Sequence, residues 1–298
     1  MRHKLFVLSS RFVGVASIIA ALTIVPVYLP HVVPVSRARS LPSPHEARSE
    51  SRPAATPTSP WTATVPSLPP HALAGGSSSL KSVSCESPSY CVAVGDFTDS
   101  ASHPEGLIDT YKDGKWTSMA SPLPADGTPG YNSLNKVVCV PTTCTAIGSY
   151  DSSTYGYVGL ILSLNAKGWA AYPAVPPADY SRGEADRLDN LACAPDGSCA
   201  VLGIYEEKES LGSYQNVGIF VTGSGGGWTT TVAPLPGDAS VSPADYYLSE
   251  VEAVSCPTNG SCYALGLYSK GNTGGGALAY SGWGSSWSYQ DLGSIGNV

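Results

Sequence analysis

The sequence predicts an all-β fold, a β-propeller-like array of four four-stranded blades, each with a disulfide inside one hairpin. Three observations carry that prediction. A unit of about 54 residues recurs four times. Each unit holds one short-range cysteine pair, and its segments alternate apolar and polar residues between glycine-bearing turns.

The elements follow in order. An apolar residue stands five before the first cysteine of each pair (Leu80, Leu134, Leu188, Val251), and another stands two before it (Val83, Val137, Leu191, Val254). These mark the first strand. The pairs are Cys85/Cys91, Cys139/Cys144, Cys193/Cys199 and Cys256/Cys262. The second strand then reads Ala93-x-Gly95-x-Phe97, Ala146-x-Gly148-x-Tyr150, Val201-x-Gly203-x-Tyr205 and Ala264-x-Gly266-x-Tyr268. A third strand begins near Gly106, Gly159, Gly218 and Gly276, and the fourth carries Trp116, Trp169, Trp228 and Trp287. Pro124, Pro177 and Pro236 follow the first three tryptophans by eight residues. The blades are expected over roughly 78–124, 132–177, 186–236 and 249–298. Trp61 and Pro69 repeat the same spacing, so a fifth strand of the fourth type is expected at 60–70. How such a strand fits with a fourth blade that already has Trp287 is left open by the sequence.

The string Ser82-Val83-Ser84-Cys85 with Cys91-Val92-Ala93-Val94-Gly95 resembles repeats of exported bacterial propeller-like proteins, most of unassigned function. The resemblance covers about residues 60–298 and implies a fold without an activity. The turn Asp113-Gly114-Lys115-Trp116 is faintly similar to the Asp-box of sialidase-like propellers, without its Ser and Thr. That likeness would imply three arginines gripping a substrate carboxylate. Residues 76–298 hold only Arg182 and Arg187, in one loop.

Upstream, Arg2, Lys4 and Arg11 precede an uncharged apolar run from Phe12 to Leu29. Residues 1–35 read as a signal peptide or an N-inside membrane anchor, and 36–59 as a Pro/Ser-rich tether to a repeat domain at 60–298. Either way the domain is extracytoplasmic. In that compartment eight cysteines in pairs five or six apart read as four disulfides. Zinc is disfavoured because the spacings are long and His103 is the one histidine in the repeats. Thiol catalysis lacks a histidine beside the cysteines, and serine hydrolysis would have only His103, near Ser100 and Ser102, which reads as an ordinary exposed loop residue.

Residues 76–298 carry 9 basic against 21 acidic side chains, which disfavours nucleic acid as a partner. In an up-and-down blade the connections between second and third strands, and between blades, share one side of the array. There the sequence places Asp96, Asp99, Glu184, Asp186, Glu206 and Glu207 among Tyr155, Tyr157, Tyr180, Tyr246 and Tyr247. Carboxylates beside flat amphipathic rings suit an extracellular protein or glycan, although a solvated acidic rim has the same composition. The sequence thus favours non-catalytic binding or scaffolding, with glycoside hydrolysis by two of these carboxylates as the alternative. The membrane is a partner only through the N-terminal segment. No cofactor is expected; calcium would be the one candidate, at Asp96-x-x-Asp99 or Glu184-x-Asp186.

Overall fold

Alternating side chains and short glycine turns leave each repeat one arrangement, an antiparallel meander. The computed structural model, which describes residues 64–178, 187–208, 214–240, 247–271 and 274–295, contains four of them. The first sheet is β1 (Ser78–Ser87), β2 (Tyr90–Thr98), β3 (Pro104–Lys112) and β4 (Lys115–Ala120). The second is β5 (Gly127–Val140), β6 (Thr143–Ser152), β7 (Gly156–Asn165) and β8 (Gly168–Pro173). The third is β9 (Arg187–Cys193), β10 (Cys199–Lys208), β11 (Tyr214–Ser224) and β12 (Gly227–Val232). The fourth is β13 (Ser249–Thr258), β14 (Ser261–Ser269), β15 (Gly275–Trp283) and β16 (Ser286–Ile295). In each sheet the strands lie in chain order. The apolar run at 12–29 and Trp61 lie outside the described residues.

Each first hairpin is closed by its own disulfide, Cys85–Cys91, Cys139–Cys144, Cys193–Cys199 and Cys256–Cys262, and none of the eight cysteines is free. A loop this short removes about 2 kcal/mol of chain entropy from the unfolded state. Four disulfides fit an oxidising, extracytoplasmic compartment.

The repeated glycine of the second strand has a steric origin. The first strand bulges opposite it, between Leu80 and Ser82 in the first sheet and between Leu134 and Lys136 in the second. The bulge presses backbone onto the glycine. A Cβ on Gly95 would lie 1.8 Å from the Ser79 carbonyl oxygen, and one on Gly148 would lie 1.9 Å from that of Ser133. Only a residue without a side chain fits.

Three apolar clusters hold the sheets together, one per junction. Val92, Val94 and Ile108 meet Leu134, Val137 and Leu160 between the first and second sheets. Ile147 and Ile161 meet Leu188, Leu191 and Val201 between the second and third. Leu202 and Phe220 meet Val251, Tyr280 and Trp287 between the third and fourth, with Phe220 and Trp287 stacked at 3.8 Å. The side chains five and two before the first cysteine are therefore the wedge each sheet drives into its predecessor. No apolar cluster among the described residues joins the fourth sheet to the first.

One expected equivalence is corrected. Gly106, Gly159 and Gly218 pair with Asp96, Ser149 and Ile204, each one residue before the second-strand aromatic of its repeat. In the fourth sheet the matching partner, Leu267, faces Ala277 instead of Gly276. Ala277 stands ten residues before Trp287, as the three glycines stand ten before their tryptophans, and the spacing of eleven arises only because Gly276 is its neighbour.

Candidate functional site

The edge where the first and second sheets meet is built by the repeat itself. Asn132, seven residues before Cys139, reaches back to the first sheet. Its side-chain oxygen accepts hydrogen bonds from the Gly106 amide at 2.8 Å and the Ser121 hydroxyl at 2.7 Å. Ser249, seven before Cys256, does the same work two junctions later, accepting from the Gly218 amide at 2.9 Å. A Cβ on Gly106 would sit 2.7 Å from the Asn132 oxygen, so glycine is required there too.

Above this link a groove of about 380 Å³ opens, lined by Lys81, Asp96, Pro104, Tyr131, Asn132, Ser133, Asp151 and Tyr157. It lies at the ends of β2 and β6 and the starts of β3 and β7, the side on which the connections between second and third strands run. The first sheet contributes Asp96, which accepts a hydrogen bond from Ser79 at 3.2 Å and pairs with the Lys81 ammonium. The second contributes Asp151 and Tyr157, opposite one another in the β6–β7 ladder. The Tyr157 hydroxyl is hydrogen-bonded to Ser149, which fixes the ring while leaving it 42 % exposed. Tyr131, 46 % exposed, is braced from behind by the His103 ring at 4.7 Å. The Asn132 amide nitrogen is buried without a hydrogen-bond partner.

The groove thus presents two carboxylates, one ammonium and two half-exposed phenol rings. Carboxylates accept hydrogen bonds from vicinal hydroxyls, and an exposed ring offers an apolar face to a flat ligand. Its size falls within the range of small-molecule sites.

Of the residues the sequence pointed to, Asp96 and Tyr157 come together in this groove. Asp99 does not line it. Its carboxylate accepts from the Ala101 amide at 2.9 Å and the His103 amide at 2.8 Å, closing the turn in which Ser102 has a φ of 69°. Tyr155 packs against the apolar cluster of the first junction. Glu206 faces Asn216 across β10 and β11, and Tyr247 bridges to the same Asn216, so these two belong to the third and fourth sheets. Glu207 lies on β10 opposite Gln215, and its side chain is outside the described residues, as are Tyr180, Glu184, Asp186 and Tyr246. Among the described residues no three His, Cys, Asp or Glu side chains are grouped to hold a metal. Lys81, Asn132 and Ser133 escaped the sequence reading. A polar residue seven before the first cysteine of every pair (Ser78, Asn132, Asp186, Ser249) was the available signal for Asn132.

No protein-family model and no curated protein matches the chain. Among solved structures it is similar to an arginine-to-alanine triple mutant of AofleA from Arthrobotrys oligospora, with 16 % identity and a TM-score of 0.35 over 76 % of this chain and 60 % of that one. It is also similar to a thermostable family-43 glycoside hydrolase, with 11 % identity and a TM-score of 0.36 over 75 % of each chain. A third is the Penicillium chrysogenum alpha-L-arabinanase complexed with arabinobiose, with 12 % identity and a TM-score of 0.35 over 67 % of this chain and 59 % of that one. The chain spans less than two-thirds of the first and third of these proteins.

Proposed function

We propose that the chain is an exported carbohydrate-recognition protein, held at the cell envelope by its N-terminal segment, whose working surface is the groove between the first and second sheets. The observation that supports this most is the meeting of Tyr131 and Tyr157 with Asp96 and Asp151 in one groove. Rings that stay half exposed and carboxylates at the same opening are what a sugar needs: an apolar face to stack on and acceptors for its hydroxyls. The Lys81–Asp96 pair orients one carboxylate and supplies a donor beside it.

The test is a screen of extracellular glycans against the intact chain, followed by titration of the best ligand. Tyr157→Ala should weaken binding about tenfold or more, the usual effect of losing an aromatic anchor. Tyr247→Ala, at another junction, should leave it unchanged. Absence of any glycan binding, or equal effects of the two variants, contradicts the reading.

A second reading, glycoside hydrolysis, is favoured by the presence of two carboxylates from different sheets in the same groove. It predicts turnover of the bound glycan, lost on both Asp96→Asn and Asp151→Asn. Binding without turnover leaves recognition alone.

A further inference from the structure

The wedge that each sheet drives into its predecessor is unused in the first sheet. Leu134 and Val137 are 0 % and 3 % exposed, Leu188 and Leu191 are 1 % and 3 %, and Val251 is 2 %. The same positions in β1, Leu80 and Val83, are 51 % and 63 % exposed. Ser78 is exposed as well, whereas Asn132 and Ser249 at its position are buried against the preceding sheet. The far face of the fourth sheet is open in the complementary way. Tyr263 is 56 % exposed where Val92, Thr145 and Ala200 are covered by the next sheet at 0 %, 1 % and 0 %. Leu265, Leu267, Ala277 and Ala279 share that face and are only half-buried.

Each open end is therefore one half of an interface the chain makes three times internally. Polar links between first strands accompany every copy of it. The Cys139 amide donates to the Ser84 hydroxyl at 2.9 Å, the Asn135 amide nitrogen to the Leu188 carbonyl at 2.6 Å, and Arg187 to Glu250 at 3.0 Å. The two ends also carry opposite charge on those strands, Lys81 on β1 against the exposed Glu252 on β13, Glu250 being held by Arg187 of the preceding sheet.

We propose that a second copy of this chain fills these ends, β1 of one copy packing on the far face of the fourth sheet of the other in a head-to-tail dimer. One difference shapes the contact. A Cβ on Gly159 or Gly218 would lie 2.7 Å from Leu188 or Val251 of the following sheet, and Ala277 stands at that position in the fourth sheet. Ala279 replaces Ile108, Ile161 and Phe220 beside it, so the face is shallower there and receives β1 displaced toward Ala279. Two copies that offer both ends to each other satisfy both interfaces at once.

Sedimentation of the full-length chain in mild detergent tests this directly. The wild type is expected to be a dimer. Val83→Asp and Tyr263→Asp are each expected to be monomeric with unchanged circular dichroism, because both positions are exposed within one chain. Val83→Ser should show the same loss with a smaller perturbation. An equal mixture of the Val83→Asp and Tyr263→Asp chains is expected to form dimers again, since each variant keeps the end that the other lacks. A monomeric wild type at its highest soluble concentration overturns the proposal, and points to closure of the ends within one chain or by its N-terminal segment. Variants that stay dimeric, or a mixture that stays monomeric, overturn it as well.

Discussion

The Tyr150 hydroxyl donates a hydrogen bond to the Asp126 carboxylate at 3.1 Å, tying the second strand of the second sheet to the connection that enters that sheet. Asp126 stands two residues after Pro124, as Asp238 stands two after Pro236. Burial alone would raise the Asp126 carboxyl, but hydrogen bonds from Ser152 and Tyr150 outweigh it and hold the group below its usual range. The stability this contributes is present above the ordinary Asp value, near 3.9. It is lost as pH falls through the depressed folded value. Tyr150→Phe should therefore cost about 2 kcal/mol at neutral pH, the scale of a hydrogen bond to a charged acceptor, and less in acid. Denaturant melts at pH 7 and pH 3 measure the difference.

Gly148→Ala should destabilise the protein by more than about 3 kcal/mol, because the new Cβ would meet the Ser133 carbonyl oxygen at 1.9 Å. Gly227→Ala, with nothing within 4 Å of its Cβ, should change stability by less than about 1 kcal/mol. Chemical denaturation of the two variants side by side checks the steric origin of the repeated glycine.

Asp109 occupies the third-strand position that Leu162 and Val221 fill in the next two sheets, is 2 % exposed, and has one carboxylate oxygen without a partner. Burial raises its carboxyl above the ordinary value, against a smaller lowering by Ser118. A raised acid favours folding below its unfolded value, and that advantage disappears as pH climbs through the folded one. Asp109→Leu should stabilise the protein at neutral pH by about 1–2 kcal/mol, the scale of an unpartnered buried polar group. The gain should shrink as pH falls and the wild-type carboxyl takes up its proton. Melting temperatures across pH provide the check.

Replacing both Cys139 and Cys144 by Ala should lower stability by about 2 kcal/mol without changing the sheet, since the closed loop is short. The same loss is expected at the other three pairs. Denaturant midpoints of the four double variants test whether the staples act independently.

Much of the architecture was legible because the repeat writes the same physical demand four times. The apolar pair ahead of each cysteine is a wedge, the glycine after it accepts a bulge, and the cysteines clasp the hairpin. What the repeat conceals is position within the array. Leu80 and Leu134 have the same sequence surroundings, yet one is open and the other fully buried, because only the second has a sheet before it. The shift to Ala277 was hidden by an adjacent glycine that mimics the repeat. At the groove, Asp96 and Tyr157 were read from chemistry alone, while Asp99 has the same chemistry and serves its own turn. Lys81 and Ser133 belong to first strands, which carry no loop signature, so only the packing of two sheets reveals them.

Hydrogen exchange of the intact chain, with and without the glycan that binds it best, tests most directly whether the junction of the first two sheets is the working surface. Protection is predicted in the backbone around 131–133 and 151–157, with residues 247–252 unchanged. Protection confined to the third and fourth sheets, or none anywhere, would contradict it.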